Sequence, residues 1–184
     1  MTARTLPGFD APAVGFEQPF EMLEACHERV RRSLALLERL VGHVEVHGHD
    51  AQSRSAAADV LRYFDLAAPL HHEDEERHVF PLLEHCGDVA LEAAAADLRR
   101  DHARMEALWA PLRAALGTWA ALDTSQAPVE STRQQAQAFG SSYAWHLRVE
   151  ETLVFPAARS RMGSARLADM SADMQGRRQA GARS

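Results

Sequence analysis

The pattern His-x-x-x-Glu-Glu-x-x-Val-Phe-Pro occurs twice in this 184-residue chain, from His71 to Pro81 and again from His146 to Pro156. The copies are offset by 75 residues, and the same offset relates His27 to His102. Residues i and i+4 of a helix lie on one face, so His71 with Glu75, and His146 with Glu150, can grip one ion from a single helix. Four imidazoles and two carboxylates form a nitrogen/oxygen donor set. That set suits iron, manganese, cobalt or zinc rather than calcium or magnesium. Without thiolates, a structural zinc site fits less well. Six donors exceed the needs of one tetrahedral ion. Two ions bridged by Glu75 and Glu150 use the inventory better.

Helices must position these residues. The fold expected is all-α, an antiparallel up-down-up-down four-helix bundle with an N-terminal arm (1–18) and a short C-terminal helix. The bundle spans 19–161, and a short helix and tail follow at 162–184. The first helix runs from about Pro19 to Val46, with the stripe Phe20, Leu23, His27, Val30, Leu34, Leu37, Val41, Val44. This is a 3–4 alternation of core positions. The second runs from about Ala51 to Cys86 (Val60, Phe64, Ala67, His71, Glu75, Val79, Leu82), with Pro69 and Pro81 expected to kink it. The third covers about Val89 to Leu122 (Leu91, Ala95, Leu98, His102, Met105, Trp109, Leu112, Leu116, Trp119), with a bend at Pro111. The fourth covers about Val129 to Arg161 (Ala136, Phe139, Tyr143, His146, Glu150, Leu153, Ala157). Residues 164 to about 175 suggest a fifth helix, with a frayed basic end from Gly176.

The stripes put His27, His71, Glu75, His102, His146 and Glu150 where apolar residues belong. A buried, uncompensated ionisable group costs several kcal/mol, so something must compensate all six. Counting from the turns at Gly48, Gly87 and 123–128 places the four histidines within about two residues of one layer, roughly 3 Å. Glu75 and Glu150 lie one turn further along helices running the same way.

The rest of the sequence narrows the setting. A net charge of −6 argues against nucleic acid as a partner. No apolar run approaches the roughly 20 residues that span a bilayer, so no membrane partner is expected. The first ten residues lack the apolar stretch of a signal peptide, and a cytoplasmic protein is expected. Cys26 and Cys86 would stand roughly 20 Å apart in height, too far for a disulfide. The acidic run Glu73 to Glu76 reads as a solvated face apart from Glu75. Glu76 and Glu151 are candidates to orient histidines from outside the donor set, and His72 is a candidate to touch it. His43, His47, His49, His78 and His85 fall off the stripe or far from it.

These motifs resemble the hemerythrin-like family, whose domains are called HHE cation-binding domains. The resemblance covers about residues 19 to 161 and rests on His27, on His71 with Glu75, on His102, and on His146 with Glu150. It implies a non-haem di-iron centre with bridging carboxylates, two Fe ions with Mn or Zn as alternatives. The chain departs from oxygen-carrying hemerythrins at two points. Glu106 stands where they place a second third-helix histidine, and Glu150 follows His146 by four where they use an aspartate at five. The extra histidine of bacterial iron–sulfur repair proteins has a counterpart in His47 by spacing, but on a straight helix His47 lies about 30 Å from His27.

Three functional classes follow from the resemblance. The first binds or responds to a small ligand such as oxygen, nitric oxide or peroxide. The second is an oxidoreductase supplied with electrons by a redox partner protein, since no flavin, haem or iron–sulfur motif is visible. The third handles iron or delivers it to an acceptor protein. The sequence leaves catalytic turnover and oligomeric state open.

Overall fold

The structure is a computed structural model that describes residues 15–121 and 128–181. Most of the expected arm, most of the turn at 123–128 and the last three residues lie outside these. The described elements are helical, with no strand among the described residues, and no described helix is long and apolar enough to cross a membrane.

Helix α1 (Pro19–His47) starts with a proline in its first turn, where a missing N–H costs nothing. It ends at Gly48, whose φ of 75° favours glycine and whose N–H bonds to the Val44 carbonyl. Asp50 and Ser53 then form a reciprocal capping box that starts α2 (Ala51–Arg62). Asp88 accepts from the Ala90 and Leu91 N–H groups and starts α4 (Val89–Ala120), which runs unbroken through Pro111.

The expected second helix is less regular than its sequence suggests. After α2 comes a π-turn (Tyr63–Ala67), then α3 (Ala68–Asp74), a second π-turn (Glu75–Val79) and a 3₁₀ turn (Phe80–Leu82). The helix stops there and does not reach Cys86. The expected fourth helix divides in the same way, into α5 (Val129–Val149), a π-turn (Glu150–Val154) and α6 (Phe155–Arg161).

Each π-turn closes with an N–H bonded five residues back: Ala68 to Tyr63, Phe80 to Glu75, Phe155 to Glu150. Each of those donors immediately precedes a proline, at 69, 81 and 156. A proline ring clashes with the carbonyl four residues before it. Widening the preceding turn by one residue relieves the clash, and such π-bulges concentrate at functional sites. The added residue shifts the stripe. Ala68 is buried where Ala67 was expected, Leu83 where Leu82 was expected, and Val154 and Ala158 replace Leu153 and Ala157.

Two apolar clusters fill the interior. One holds Val30, Leu37, Val41, Phe64, Leu112, Trp119 and Phe139, among others. The other holds Phe20, Leu23, Val79, Phe80, Leu98, Val154 and Phe155, with Met170 and Met174. His27 falls between the two clusters along α1, His71 and Glu75 along α3 and its π-turn, His102 along α4, and His146 and Glu150 along α5 and its π-turn. Helix α1 packs on α2 and α5, and α4 also packs on α2 and α5.

The last helix, α7 (Ser164–Gly181), continues six residues past its expected end and packs on α1 and α3. Its methionines enter the second cluster, and its arginines reach Asp74. Asp74 is fully buried, which corrects the expectation of a solvated acidic face. The Arg177 and Arg178 guanidiniums both hold its carboxylate, Arg178 Nη2 at 2.6 Å from Oδ2. These contacts hold the basic end in helix where fraying was expected.

Candidate metal centre

All six sequence-identified residues meet in one buried layer. His27, Glu75 and Glu150 are fully buried, His71 and His146 are 1% exposed, and His102 is 5% exposed. The His27 and His71 rings stand 4.9 Å apart, as do those of His102 and His146.

The carboxylates lie between these two pairs. Glu75 turns Oε1 toward His71 Nε2 (3.2 Å) and His27 Nε2 (3.8 Å), and Oε2 toward His102 Nε2 (3.5 Å). Glu150 turns Oε2 toward His27 Nε2 (3.2 Å) and Oε1 toward His146 Nε2 (3.1 Å). Each carboxylate therefore offers one oxygen to each histidine pair. His27, His71, Glu75 and Glu150 bring one donor atom each within 4.8 Å of one another, and so do Glu75, His102, His146 and Glu150.

None of these eight facing atoms makes a hydrogen bond, despite the short separations. Among the described residues, ten of twelve buried side-chain atoms without a hydrogen-bond partner belong to these six residues. Leaving one such atom unpaired costs about 1–3 kcal/mol, and a domain has only about 5–15 kcal/mol of net stability. Buried, unpaired nitrogen and oxygen atoms brought this close together are what a bound metal requires, so the residues present fit the metal that the sequence implies.

The electrostatics agree. Burial alone would lower His27, but the adjoining Glu150 and Glu75 carboxylates push it up to about 10. Burial also opposes charge on His102, and the Glu75 and Glu76 carboxylates raise it despite that. His71 goes the other way, held well below its ordinary value by burial and by the His27 charge. Burial opposes the Glu150 carboxylate, yet His146 and His27 hold it well below the usual range. The buried carboxylates thus favour positive charge on the imidazoles beside them, the role a bound cation would take over.

The remaining letters of the repeat are explained by what they touch. The second glutamate of each copy orients a histidine on another helix. Glu151 Oε1 accepts from His27 Nδ1 at 2.9 Å, and Glu76 Oε1 accepts from His102 Nδ1 at 2.7 Å. With Nδ1 carrying the proton, Nε2 is the nitrogen free to face the layer. Arg31 Nη2 grips both oxygens of Glu151, at 2.7 and 2.8 Å. The phenylalanines cover the same two imidazoles. The Phe155 ring stacks on His27 at 5.2 Å, and Phe80 lies 5.5 Å from His102.

His72 was only a weak candidate from the sequence, yet its ring stacks on His102 at 3.9 Å and 11°. It lines a cleft of about 770 Å³ together with His102, Glu76, Glu106, Trp109 and Tyr143. Glu106 reaches this cleft but none of the metal-competent groups. His47 pairs its ring with His43 near the end of α1, far along the helix from the layer. His49 packs on Trp119, and His78 bonds to Asp173. Cys26 and Cys86 are free thiols, and burial pushes the Cys26 thiol up and away from reactivity.

A protein of Haemophilus influenzae (strain ATCC 51907 / DSM 11121 / KW20 / Rd), itself described only as an uncharacterized protein, is 30% identical over 164 residues. That match covers 89% of this chain and 92% of the relative. The hemerythrin HHE cation binding domain matches residues 18–158, which include all six residues of the layer. The chain belongs to the hemerythrin HHE cation-binding family.

Proposed function

We propose that the chain is a cytoplasmic, non-haem di-iron protein that binds or responds to a small ligand such as oxygen, nitric oxide or peroxide. His27 and His71 would hold one ion, His102 and His146 the other, with Glu75 and Glu150 bridging. Manganese or zinc could occupy the same donors. The frame would be an antiparallel four-helix bundle. Supporting this, α1 and α4 pass from the Phe20 cluster to the Trp119 cluster along the chain, whereas α2–α3 and α5 pass the other way.

One observation carries the reading: the divided aim of the two carboxylates, each with one oxygen toward each histidine pair. A single ion would leave half of these atoms unpaired in the core. Bound iron would supply redox chemistry and affinity for small ligands. The protein's own part is to hold the donors rigid, to exclude bulk water with Phe80 and Phe155, and to admit small molecules from the cleft that reaches His72 and His102. Sustained turnover would need electrons from a redox partner protein.

The test is iron content and absorption on protein purified anaerobically after iron-supplemented expression. About two irons per chain, with absorption that changes on admitting air, is expected. His71→Ala combined with His146→Ala should lose both ions while keeping its helical circular dichroism. If that double variant still binds two irons, the donor set is wrong. If the wild-type protein holds one zinc and ignores air, the small-ligand reading fails.

A further inference from the structure

Three of the chain's ten histidines fall within seven residues at the corner between α1 and α2, in the run His43-Val-Glu-Val-His47-Gly-His49-Asp50. The layer uses none of them. His49 packs on Trp119, but His43 and His47 share one face of the last turns of α1, four residues apart, with their rings 4.9 Å apart. Gly48, with φ of 75°, ends the helix and turns the chain back, which brings Asp50 beside His43.

The two oxygens of Asp50 have separate tasks. Oδ1 accepts the Ser53 N–H at 2.8 Å and caps α2, and Oδ2 lies 3.0 Å from His43 Nε2. Two donors about 2.1 Å from one ion and 3.0 Å from each other subtend roughly 90° at it, an angle that transition-metal ions accept. The His43 side chain is 21% exposed and that of Asp50 46%, so an ion can reach them from solvent. His47 is exposed as well, and both histidines line a hollow of about 420 Å³ with Gln52 and Ser53. Arg39 lines the same hollow, so an incoming cation depends on the Asp50 carboxylate to offset that charge. The three residues do not form one of the groups whose donor atoms already stand within 4.8 Å of one another. Turning the exposed His47 ring about its own side-chain bonds is the adjustment that binding requires.

We propose that His43, His47 and Asp50 form a second, surface metal site for a divalent transition-metal ion that favours imidazole, of the zinc class. His43 lies 16 residues beyond His27 on α1, about 24 Å along the helix, so this site is separate from the buried layer and does not rest on the two-ion reading. Two imidazoles and one carboxylate leave coordination positions to water, which makes the ion exchangeable. The ion replaces the His43–Asp50 hydrogen bond and ties the end of α1 to the first residue of α2.

The test is a calorimetric zinc(II) titration of protein first saturated with iron. It compares wild type, His47→Gln, Asp50→Asn, and His71→Ala combined with His146→Ala. Asparagine caps a helix about as well as aspartate, so Asp50→Asn removes the charged donor and keeps the corner folded. The expected result is a zinc-binding step in the wild type that persists in the layer double variant. Loss of an orienting partner costs a metal site roughly 10–100-fold, so loss of a direct donor should weaken that step at least about tenfold in both His47→Gln and Asp50→Asn. Wild-type affinity in either of those two variants would overturn the proposal, as would a wild-type protein with no such step. A step that disappears only in the layer double variant would assign the zinc to the layer and overturn it too.

Discussion

The two copies of the repeat, 71–81 and 146–156, share one pattern, yet they are supported differently. Where they match, each has a phenylalanine over one imidazole and a glutamate orienting its Nδ1. Where they differ, the first copy carries His72, Asp74 and His78 against Leu147, Val149 and Leu153 in the second. Two of those three polar residues face α7, through Asp74 to Arg177 and Arg178 and through His78 to Asp173. The third faces the imidazoles. Shared letters thus make the donor layer, and unshared letters attach it to the rest of the molecule. Repetition in a sequence marks the chemistry, whereas departures from repetition mark what is particular to this chain.

The largest way to break the comparison is to cut the α7 attachment. Arg177→Ala with Arg178→Ala leaves a fully buried Asp74 without a charge partner, which costs about 3–5 kcal/mol. Urea denaturation should report that loss. Hydrogen exchange should show it concentrated in 68–79, with 146–154 little changed. Equal loosening of both segments would mean that the two copies of the repeat are not independently supported.

A smaller effect separates the halves at their orienting glutamates. Glu151→Gln should weaken the ion on the His27/His71 side about 10–100-fold, and Glu76→Gln the ion on the His102/His146 side by a similar factor. Cobalt(II) titration reads both. If both substitutions weaken the same ion, the assignment of halves is wrong.

The smallest effect is at Asp173. Burial disfavours its charge, but His78 and Arg177 together hold its carboxyl below the usual range. A depressed folded pKa contributes stability that is present above the unfolded value, about 4, and is lost as pH falls through the folded one. For so exposed a group the contribution is under about 1 kcal/mol. Asp173→Asn should therefore destabilise the protein slightly at pH 7. The difference from wild type should shrink on acidification below the ordinary aspartate range. A difference that grows on acidification would contradict the assignment.

The convergence of these histidines and glutamates in one buried layer was legible because its signals are local and repeated: i,i+4 spacing, a fixed offset, and polar residues on apolar stripes. The register beyond Val79 and Glu150 was not. Counting at 3.6 residues per turn cannot know that a turn has widened, so the core was expected at Leu82, Leu153 and Ala157 rather than at Leu83, Val154 and Ala158. The prolines at 69, 81 and 156 were the available clue, read as kinks when their consequence is an added residue. Pro111, inside an unbroken α4, shows that the clue is not sufficient alone. Asp74 was misread because an acidic run looks solvated until its distant partners are known. Glu76 and Glu151 were legible only as candidates, since the histidines they orient sit on other helices.

The clamp on Asp74 also bears on timing. Arg177 and Arg178 follow Asp74 by 103 and 104 residues. At roughly 5–20 residues per second of synthesis, they are made about 5–20 s after the glutamate that Asp74 precedes. During that interval the segment carrying His71 and Glu75 exists without its anchor, and a buried carboxylate waits for its countercharge. A nascent chain would therefore be expected to hold metal loosely until α7 has emerged and docked.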